Sequence, residues 1–145
     1  MVIDRKGIGL TTTRILIGLF LFFMGLGKIK WFLDPSILGG QLSGWLDAVA
    51  PGSVSAIYLE RIAIPGIPLF ARLVPLGEIS SGVALLLGLW TPVFALIAFF
   101  MVLNFQVASG MIFTYAFLTN GYCLPVLGST LGLAIGGVRL PWSLR

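Results

Sequence analysis

Glu78 is the residue whose type and position most favour chemistry in this chain. It lies within an apolar segment typical of a membrane span, about two turns from the loop-side end, where an ionised carboxylate costs several kcal/mol unless it is paired or hydrated. Lys28, near the loop-side end of the preceding apolar segment, is its predicted partner. Arg72 is six residues from Glu78 and therefore faces another side of the same helix.

The Lys28–Glu78 pair has two interpretations. The first is a proton-accepting or ligand-anchoring acid that lines a polar cavity, because perturbed carboxylates in membranes mark proton and ligand sites. The second is a buried ion pair that fixes the register of two helices. Both interpretations predict that the two side chains lie at the same depth in the bilayer.

Three more polar side chains belong to the predicted apolar segments. Asn104 and Gln106 could bind the carbonyl or head group of a quinone, but such amides more often join helices, for about 1 kcal/mol. Arg14 and Lys28 flank the uncharged stretch Ile15–Gly27. Both are expected to extend toward the membrane interfaces along their aliphatic stems.

The chain carries few of the groups that redox or metal chemistry requires. It has no histidine and a single cysteine, Cys123, so it offers neither the commonest metal ligand nor an internal disulfide or zinc site. No acid pair lies near a nucleophile, and no phosphate-binding motif is present. We therefore expect no catalytic activity by this chain alone and no cofactor held by a recognisable motif; quinone or lipid is the ligand class left open.

The composition assigns the chain to the membrane. Of its 145 residues only 10% are charged and 58% are hydrophobic, whereas an ordinary soluble domain is about 25% charged. No charged residue occurs between Glu78 and Arg139, a run of 60 residues, and one span takes roughly 20. These values exclude a soluble domain, a disordered chain and a nucleic-acid-binding protein.

The hydropathy pattern predicts an all-α integral membrane protein, a four-transmembrane-helix bundle in a single domain, 1–145. Pro68 suits a first helical turn, Pro75 is expected to kink its helix, and Thr91–Pro92 is expected to end it. A signal peptide is the alternative for the first segment. The predicted spans are about 10–32, 68–90, 92–109 and 119–138.

The extramembrane segment, about 33–67, is predicted to form short helices at the membrane interface. Its apolar residues recur at helical spacing after Asp34–Pro35, up to Pro51–Gly52, which is typical of an amphipathic interfacial helix. Ser53 can cap a second short helix that reaches about Ile64. A solvated loop with scattered apolar residues is the alternative.

Small residues recur at intervals of four in two of the spans. Gly128, Gly132 and Gly136 form one smooth strip on the last span, and Gly77 with Ser81 forms a shorter one. Such strips let another helix backbone approach closely. The pattern does not decide whether that helix belongs to the same chain, a second copy or another membrane subunit.

Two stretches resemble the signatures of a known family. Arg14-Ile-Leu-Ile-Gly18 with Phe22-Phe-Met-Gly25-Leu-Gly27-Lys28, and Leu76-Gly77-Glu78-Ile-Ser-Ser-Gly82 continuing to Thr91-Pro92, are similar to the first- and second-span signatures of the DoxX family. The resemblance covers spans one to three; residues 122–145 match nothing in it. It implies a small four-helix membrane protein with Arg14, Lys28 and Glu78 in its polar core.

The family resemblance also shapes the functional expectations. Some relatives are subunits of a thiosulfate:quinone oxidoreductase, and many are linked to redox defence. We expect a structural subunit of a larger redox complex in a bacterial or archaeal inner membrane. The alternatives are a quinone-binding subunit of an oxidoreductase, with its site near Glu78, and a small proton-coupled transporter. Basic residues, five against four, favour cytoplasmic termini.

Overall fold

The computed structural model describes residues 4–144, and all regular secondary structure in that range is helical. Short 3₁₀ turns occupy Ile29–Phe32 and Met111–Phe113, and a π turn occupies Leu59–Ala63. The helices are α1 (Arg5–Gly27), α2 (Ser36–Ala48), α3 (Val54–Tyr58), α4 (Ile67–Leu87), α5 (Thr91–Ala108), α6 (Ala116–Thr119) and α7 (Leu124–Gly136).

The four longest apolar helices close into a bundle. α1 packs against α4 and α7, and α5 packs against the same two helices, so each helix has two neighbours. α1, α4 and α5 are long and apolar enough to cross a membrane, and the chain is an integral membrane protein. α7 has 13 residues, about 20 Å of helix, which is shorter than a full span; the count of four spans therefore stays a prediction.

α1 and α4 contact each other along a seam of small side chains. The buried positions alternate in steps of four and three, the spacing of helices that cross at a shallow left-handed angle. A Cβ on Gly18 would lie 3.0 Å from the carbonyl oxygen of Gly82, so the two backbones approach closely. The buried residues that repeat at this spacing are Gly7, Thr11, Arg14, Gly18, Leu21 and Gly25 on α1, and Ala71, Pro75, Glu78, Gly82 and Leu85 on α4. Of these, Gly18 lies against Gly82, and Gly25 lies against Glu78.

α4 ends before the position expected from the sequence. Gly88 has φ +71°, a left-handed conformation that favours glycine, and the N–H of Leu89 donates to the carbonyl of Ala84 at 2.8 Å. Pro92 then lies in the first turn of α5, where its missing N–H is harmless. The expectation that Thr91–Pro92 ends the helix was wrong, because Gly88 ends it first.

The last helix is shorter than the predicted span 119–138. A turn follows α6, in which the side chain of Asn120 accepts a hydrogen bond from the N–H of Tyr122 at 2.8 Å. α7 begins only at Leu124, with Pro125 in its first turn. Asn120 has an extended backbone conformation, with ψ 128°, so the turn separates α6 from α7, and Pro125 suits the first turn of the new helix.

The segment between α1 and α4 folds over one end of the bundle. α2 lies where the sequence predicts a helix, and Ser53 caps α3 by accepting from the N–H of Ala56 at 3.2 Å. The most buried apolar residues of α2, Leu38 and Leu42, pack against the protein in a cluster with Trp31. This apolar face of α2 therefore meets the protein, and the position of the segment at the membrane interface stays a prediction.

The bundle has two chemically different ends. The loop end is formed by residues 28–66 and 109–123. The terminal end is formed by the start of α1, the α4–α5 turn and residues 138–144, where the N–H of Leu144 donates to the carbonyl of Leu87 at 2.9 Å. Arg145, which was counted for the orientation, lies outside the described residues.

Candidate functional site

A cavity of about 280 Å³ opens between the helices in the loop half of the bundle. Its walls are mostly apolar and aromatic, with a few polar groups that converge on it, which is the usual make-up of a small-molecule site. The polar lining residues are Lys28, Gln41, Glu78, Gln106, Ser109, Asn120 and Tyr122, with the thiol of Cys123.

Lys28 and Glu78 form an ion pair in the wall of this cavity. Lys28 Nζ donates to both carboxylate oxygens of Glu78, at 2.5 Å to Oε1 and 2.7 Å to Oε2. Only 6% of the Glu78 side chain and 15% of the Lys28 side chain are exposed. The pairing predicted from depth in the membrane is thereby confirmed.

Local helix geometry brings the two charged residues together. Lys28 follows directly after the last residue of α1, so its long side chain can turn back along the seam. One turn earlier, a Cβ on Gly25 would lie 2.9 Å from the N of Ile79 and 3.0 Å from Cβ of Glu78. The absence of a side chain at Gly25 therefore lets α1 approach α4 at the level of the carboxylate.

A second polar group in the cavity wall is centred on Gln106. Its Nε2 donates to the carbonyl of Tyr122 at 3.2 Å, and its Oε1 accepts from the thiol of Cys123 at 3.0 Å. Both Gln106 and Cys123 are buried. The amide thus joins α5 to the turn before α7, and it still has one N–H on Nε2 for a ligand.

Aromatic rings form two sides of the cavity. Phe20 and Tyr122 stack with their ring centroids 5.7 Å apart, and Trp45 meets Phe105 edge to face at 6.2 Å. The Lys28 ammonium also lies 5.1 Å from the centre of the Phe105 ring, within the range of a cation–π interaction. A flat, weakly polar ligand would have ring faces to pack against.

Two of the polar residues singled out in the sequence lie outside this cavity. Arg14 is only 1% exposed and binds the C-terminal segment, donating to Ser143 Oγ and, at 2.9 Å, to the carbonyl of Trp142. Residues 141–143 cover the guanidinium of Arg14, so it binds protein at the terminal end, and the depth of that end in the membrane stays a prediction. About 21 Å of helix separates Arg14 from Lys28, so it shares no site with Glu78.

Asn104 is exposed and accepts a hydrogen bond from the hydroxyl of Tyr58. Burial raises the pKa of Tyr58, and the hydrogen bond to Asn104 lowers it in part. Because the phenol stays protonated, it can donate to the amide. Asn104 therefore joins α3 to α5 and belongs to the surroundings of the cavity, not to its wall.

The predicted packing residues divide into two groups. A Cβ on Gly128 or Gly132 would meet nothing within 4 Å, and one on Gly136 would meet only the tip of Leu10, at 3.3 Å. The strip on α7 thus faces outward from this chain. On α4, a Cβ on Gly77 would lie 2.9 Å from the sulfur of Met101, and Ser81 is buried with no hydrogen-bond partner for its hydroxyl among the described residues.

Sequence reasoning missed the small residues that do hold the bundle together. Gly18, Gly25 and Gly82 carry the closest α1–α4 contacts, yet no two of them are four residues apart. The spacing of seven between Gly18 and Gly25 is the signal that could have revealed them, since it keeps both on one face of a heptad seam. Cys123, which lines the cavity and donates to Gln106, belongs to no sequence pattern that could have identified it as a site residue.

Comparison with known proteins gives one match. The DoxX family model matches residues 9–113, which include most of α1, all of α4 and α5, and the Lys28–Glu78 pair. No curated protein and no solved structure matches this chain.

Proposed function

Because this chain belongs to the DoxX family, we propose that it is the membrane component of a quinone-linked redox system and that its cavity beside Glu78 binds the quinone head group. The single observation that carries this proposal is the Lys28–Glu78 ion pair in the wall of a cavity whose surface is mainly apolar. Lys28 can donate a proton and Glu78 can accept one, and both lie next to a cavity that is large enough for a ligand.

The dimensions of the cavity support a single-ring ligand. Its volume of about 280 Å³ is just below the roughly 300–1,000 Å³ typical of small-molecule sites, which favours a small ligand group. The rings of Phe20, Tyr122 and Phe105 supply apolar faces, and the position within a membrane bundle gives a lipid-soluble tail an apolar path.

The hydrogen-bonding groups also fit a quinone, whose two carbonyl oxygens only accept. Lys28 has three N–H groups. Two of them donate to the two carboxylate oxygens of Glu78, so the third remains for a ligand. Gln106 keeps one free N–H, and the side-chain NH₂ of Asn120 is a further donor in the lining. These donors lie on three different segments, which suits a ligand with oxygens on opposite sides of a ring.

A quinone, when bound, would take up two electrons and two protons, the electrons coming from a partner redox protein. Lys28 orients one carbonyl oxygen by donating to it and can pass a proton to that oxygen. Glu78, hydrogen-bonded to the ammonium, is placed to relay a proton from water to Lys28 after Lys28 has given one up, which restores the ion pair. The two protons that the quinone takes up would thus come from water, one after the other, through the pair. Both side chains of the pair are largely buried, which strengthens the charge-assisted hydrogen bond between them.

Binding of a short-chain quinone to the purified full chain in detergent tests the proposal. We expect Lys28→Met to weaken binding at least about tenfold, since one charge-assisted hydrogen bond is worth roughly 1.5–3 kcal/mol. Glu60→Gln, which removes an exposed acid outside the cavity, is the matched control. Equal affinities for the wild type, Lys28→Met and Glu60→Gln would contradict the assignment of the site.

A structural subunit of a larger complex is the second candidate function. The outward-facing strip Gly128, Gly132 and Gly136 favours it, because three glycines in a lipid-facing helix bring no packing advantage and each costs up to about 1 kcal/mol relative to alanine. Co-purification of cofactor-bearing chains that is lost on Gly132→Leu would support this function.

A further inference from the structure

The terminal end of the bundle contains a buried positive charge that no acid of residues 4–144 neutralises. The guanidinium of Arg14 donates only to neutral oxygens, Ser143 Oγ and the carbonyl of Trp142, and its Nε has no partner. The sole ion pair in the described residues is Lys28–Glu78, at the other end. Burying a guanidinium without an opposite charge is costly, so an anion nearby would stabilise this end.

The charges around Arg14 attract such an anion. Arg5, Lys6 and Arg139 share the terminal end with it, whereas Asp4 is the one acid there among the described residues. The carboxylate of Asp4 is already engaged as the cap of α1, accepting from the N–H of Gly7 at 3.0 Å. The local electrostatic potential is therefore positive.

A cavity of about 380 Å³ lies at this end, between the α4–α5 turn and the C-terminal segment. Its lining includes Gly88, Thr91, Arg139 and Ser143. Arg14 lies directly behind two of these residues, because its Nη1 occupies the place that a Cβ on Gly88 would take and donates to Ser143. Arg139 is exposed and can contact a ligand directly.

The backbone here is held in an unusual conformation. The three non-glycine residues with positive φ in the range 4–144 are Trp90, Arg139 and Trp142, at 40°, 57° and 52°, and two of them line this cavity. Strained backbone of this kind concentrates at ligand-binding and switch regions. The shape of the cavity is thus maintained against a conformational penalty.

Two tryptophans indicate where this cavity lies relative to the bilayer. Trp90 and Trp142 are 73% and 77% exposed, and exposed tryptophans of membrane proteins are enriched at the level of the lipid head groups. A phosphate there can come from an anionic phospholipid or from free phosphate in solution.

We propose that this cavity binds a phosphate group, which Arg139 contacts directly and for which Arg14 supplies the buried positive charge behind Gly88 and Ser143. The site is independent of the cavity beside Glu78 and does not depend on the function proposed for that cavity. The position of the tryptophans favours the head group of an anionic phospholipid as the source.

Native mass spectrometry of the full chain in detergent, with phosphatidylglycerol, the phosphate-free lipid diacylglycerol or inorganic phosphate added, tests the proposal. We expect one phosphatidylglycerol to be retained, with about tenfold weaker retention in Arg139→Asn, as for the loss of one charge-assisted hydrogen bond. Asparagine is chosen because it tolerates positive φ, so the variant should fold. Arg61→Asn, which removes an exposed arginine at the loop end, is the control.

The outcomes separate the two sources. Retention of phosphatidylglycerol that inorganic phosphate does not displace identifies a lipid site, whereas retention of inorganic phosphate alone identifies a soluble anion; both support a phosphate site if they are lost in Arg139→Asn. Equal retention of phosphatidylglycerol and diacylglycerol, which has no phosphate, without any phosphate adduct, or identical behaviour of Arg139→Asn and Arg61→Asn, would overturn the proposal.

Discussion

Breaking the Lys28–Glu78 pair from either side should destabilise the bundle, and removing both charges should restore most of the loss. Removing one partner of a buried pair leaves the other uncompensated, at a cost of about 3–5 kcal/mol. Both side chains are largely buried, with 15% and 6% exposed, so solvent provides little relief. The pair should therefore show strong coupling in a double-mutant cycle.

The contacts around the pair predict which single change costs more. In Glu78→Gln, Lys28 keeps the rings of Phe105 and Trp31, 5.1 Å and 5.9 Å from its ammonium, each worth about 0.5–1 kcal/mol. In Lys28→Met, the carboxylate of Glu78 loses its one hydrogen-bond donor among the described residues. We expect a loss of about 3 kcal/mol for Glu78→Gln and about 4 kcal/mol for Lys28→Met.

Equilibrium unfolding in mixed micelles, followed by circular dichroism, measures these differences. The double variant Lys28→Met with Glu78→Gln should lose only about 2 kcal/mol, because no buried charge remains unpaired. Glu60→Gln, an exposed acid outside the pair, should change the free energy of unfolding by less than about 0.5 kcal/mol. A double variant that loses the sum of the two single losses would refute the energetic role of the pair.

Three further predictions concern packing and pH. Gly25→Leu should prevent a stable fold, because even a Cβ there lies 2.9 Å from the backbone of Ile79; thermal unfolding measures the loss. Gly132→Leu meets open space, so the isolated chain should keep its stability while co-purification of partner chains is lost; if neither property changes, the strip packs against nothing important. Burial raises the pKa of Tyr58, so its neutral form is favoured in the fold, and stability should fall as the pH rises above about 10. Tyr58→Phe should remove that alkaline loss in a pH series of unfolding measurements, and an unchanged pH profile would contradict it.

The sequence by itself determined the class of the protein, its principal helices and one contact. Sixty consecutive uncharged residues after Glu78 cannot form the surface of a soluble protein. Long apolar helices can be located from the order of residues along the chain, without knowledge of tertiary contacts. Depth in a membrane is also nearly one-dimensional, so the number of residues from each loop was enough to pair Lys28 with Glu78. The same reasoning could not predict the contacts of Arg14 with residues 142 and 143, because depth does not reveal a distant segment that covers a side chain.

Tertiary structure alone decided which face of each helix meets which neighbour. The glycines of α7 have the stronger pattern of spacing, yet Gly128 and Gly132 face outward, while Gly18 and Gly25 allow α1 to reach α4. A helix that is apolar on all sides has no polar face, so its sequence does not indicate which side packs against the bundle and which side meets lipid. The direction of each face therefore follows from the shape fit of whole helices, and contacts such as Arg14 with Ser143, 129 residues apart, exist only once the bundle has closed.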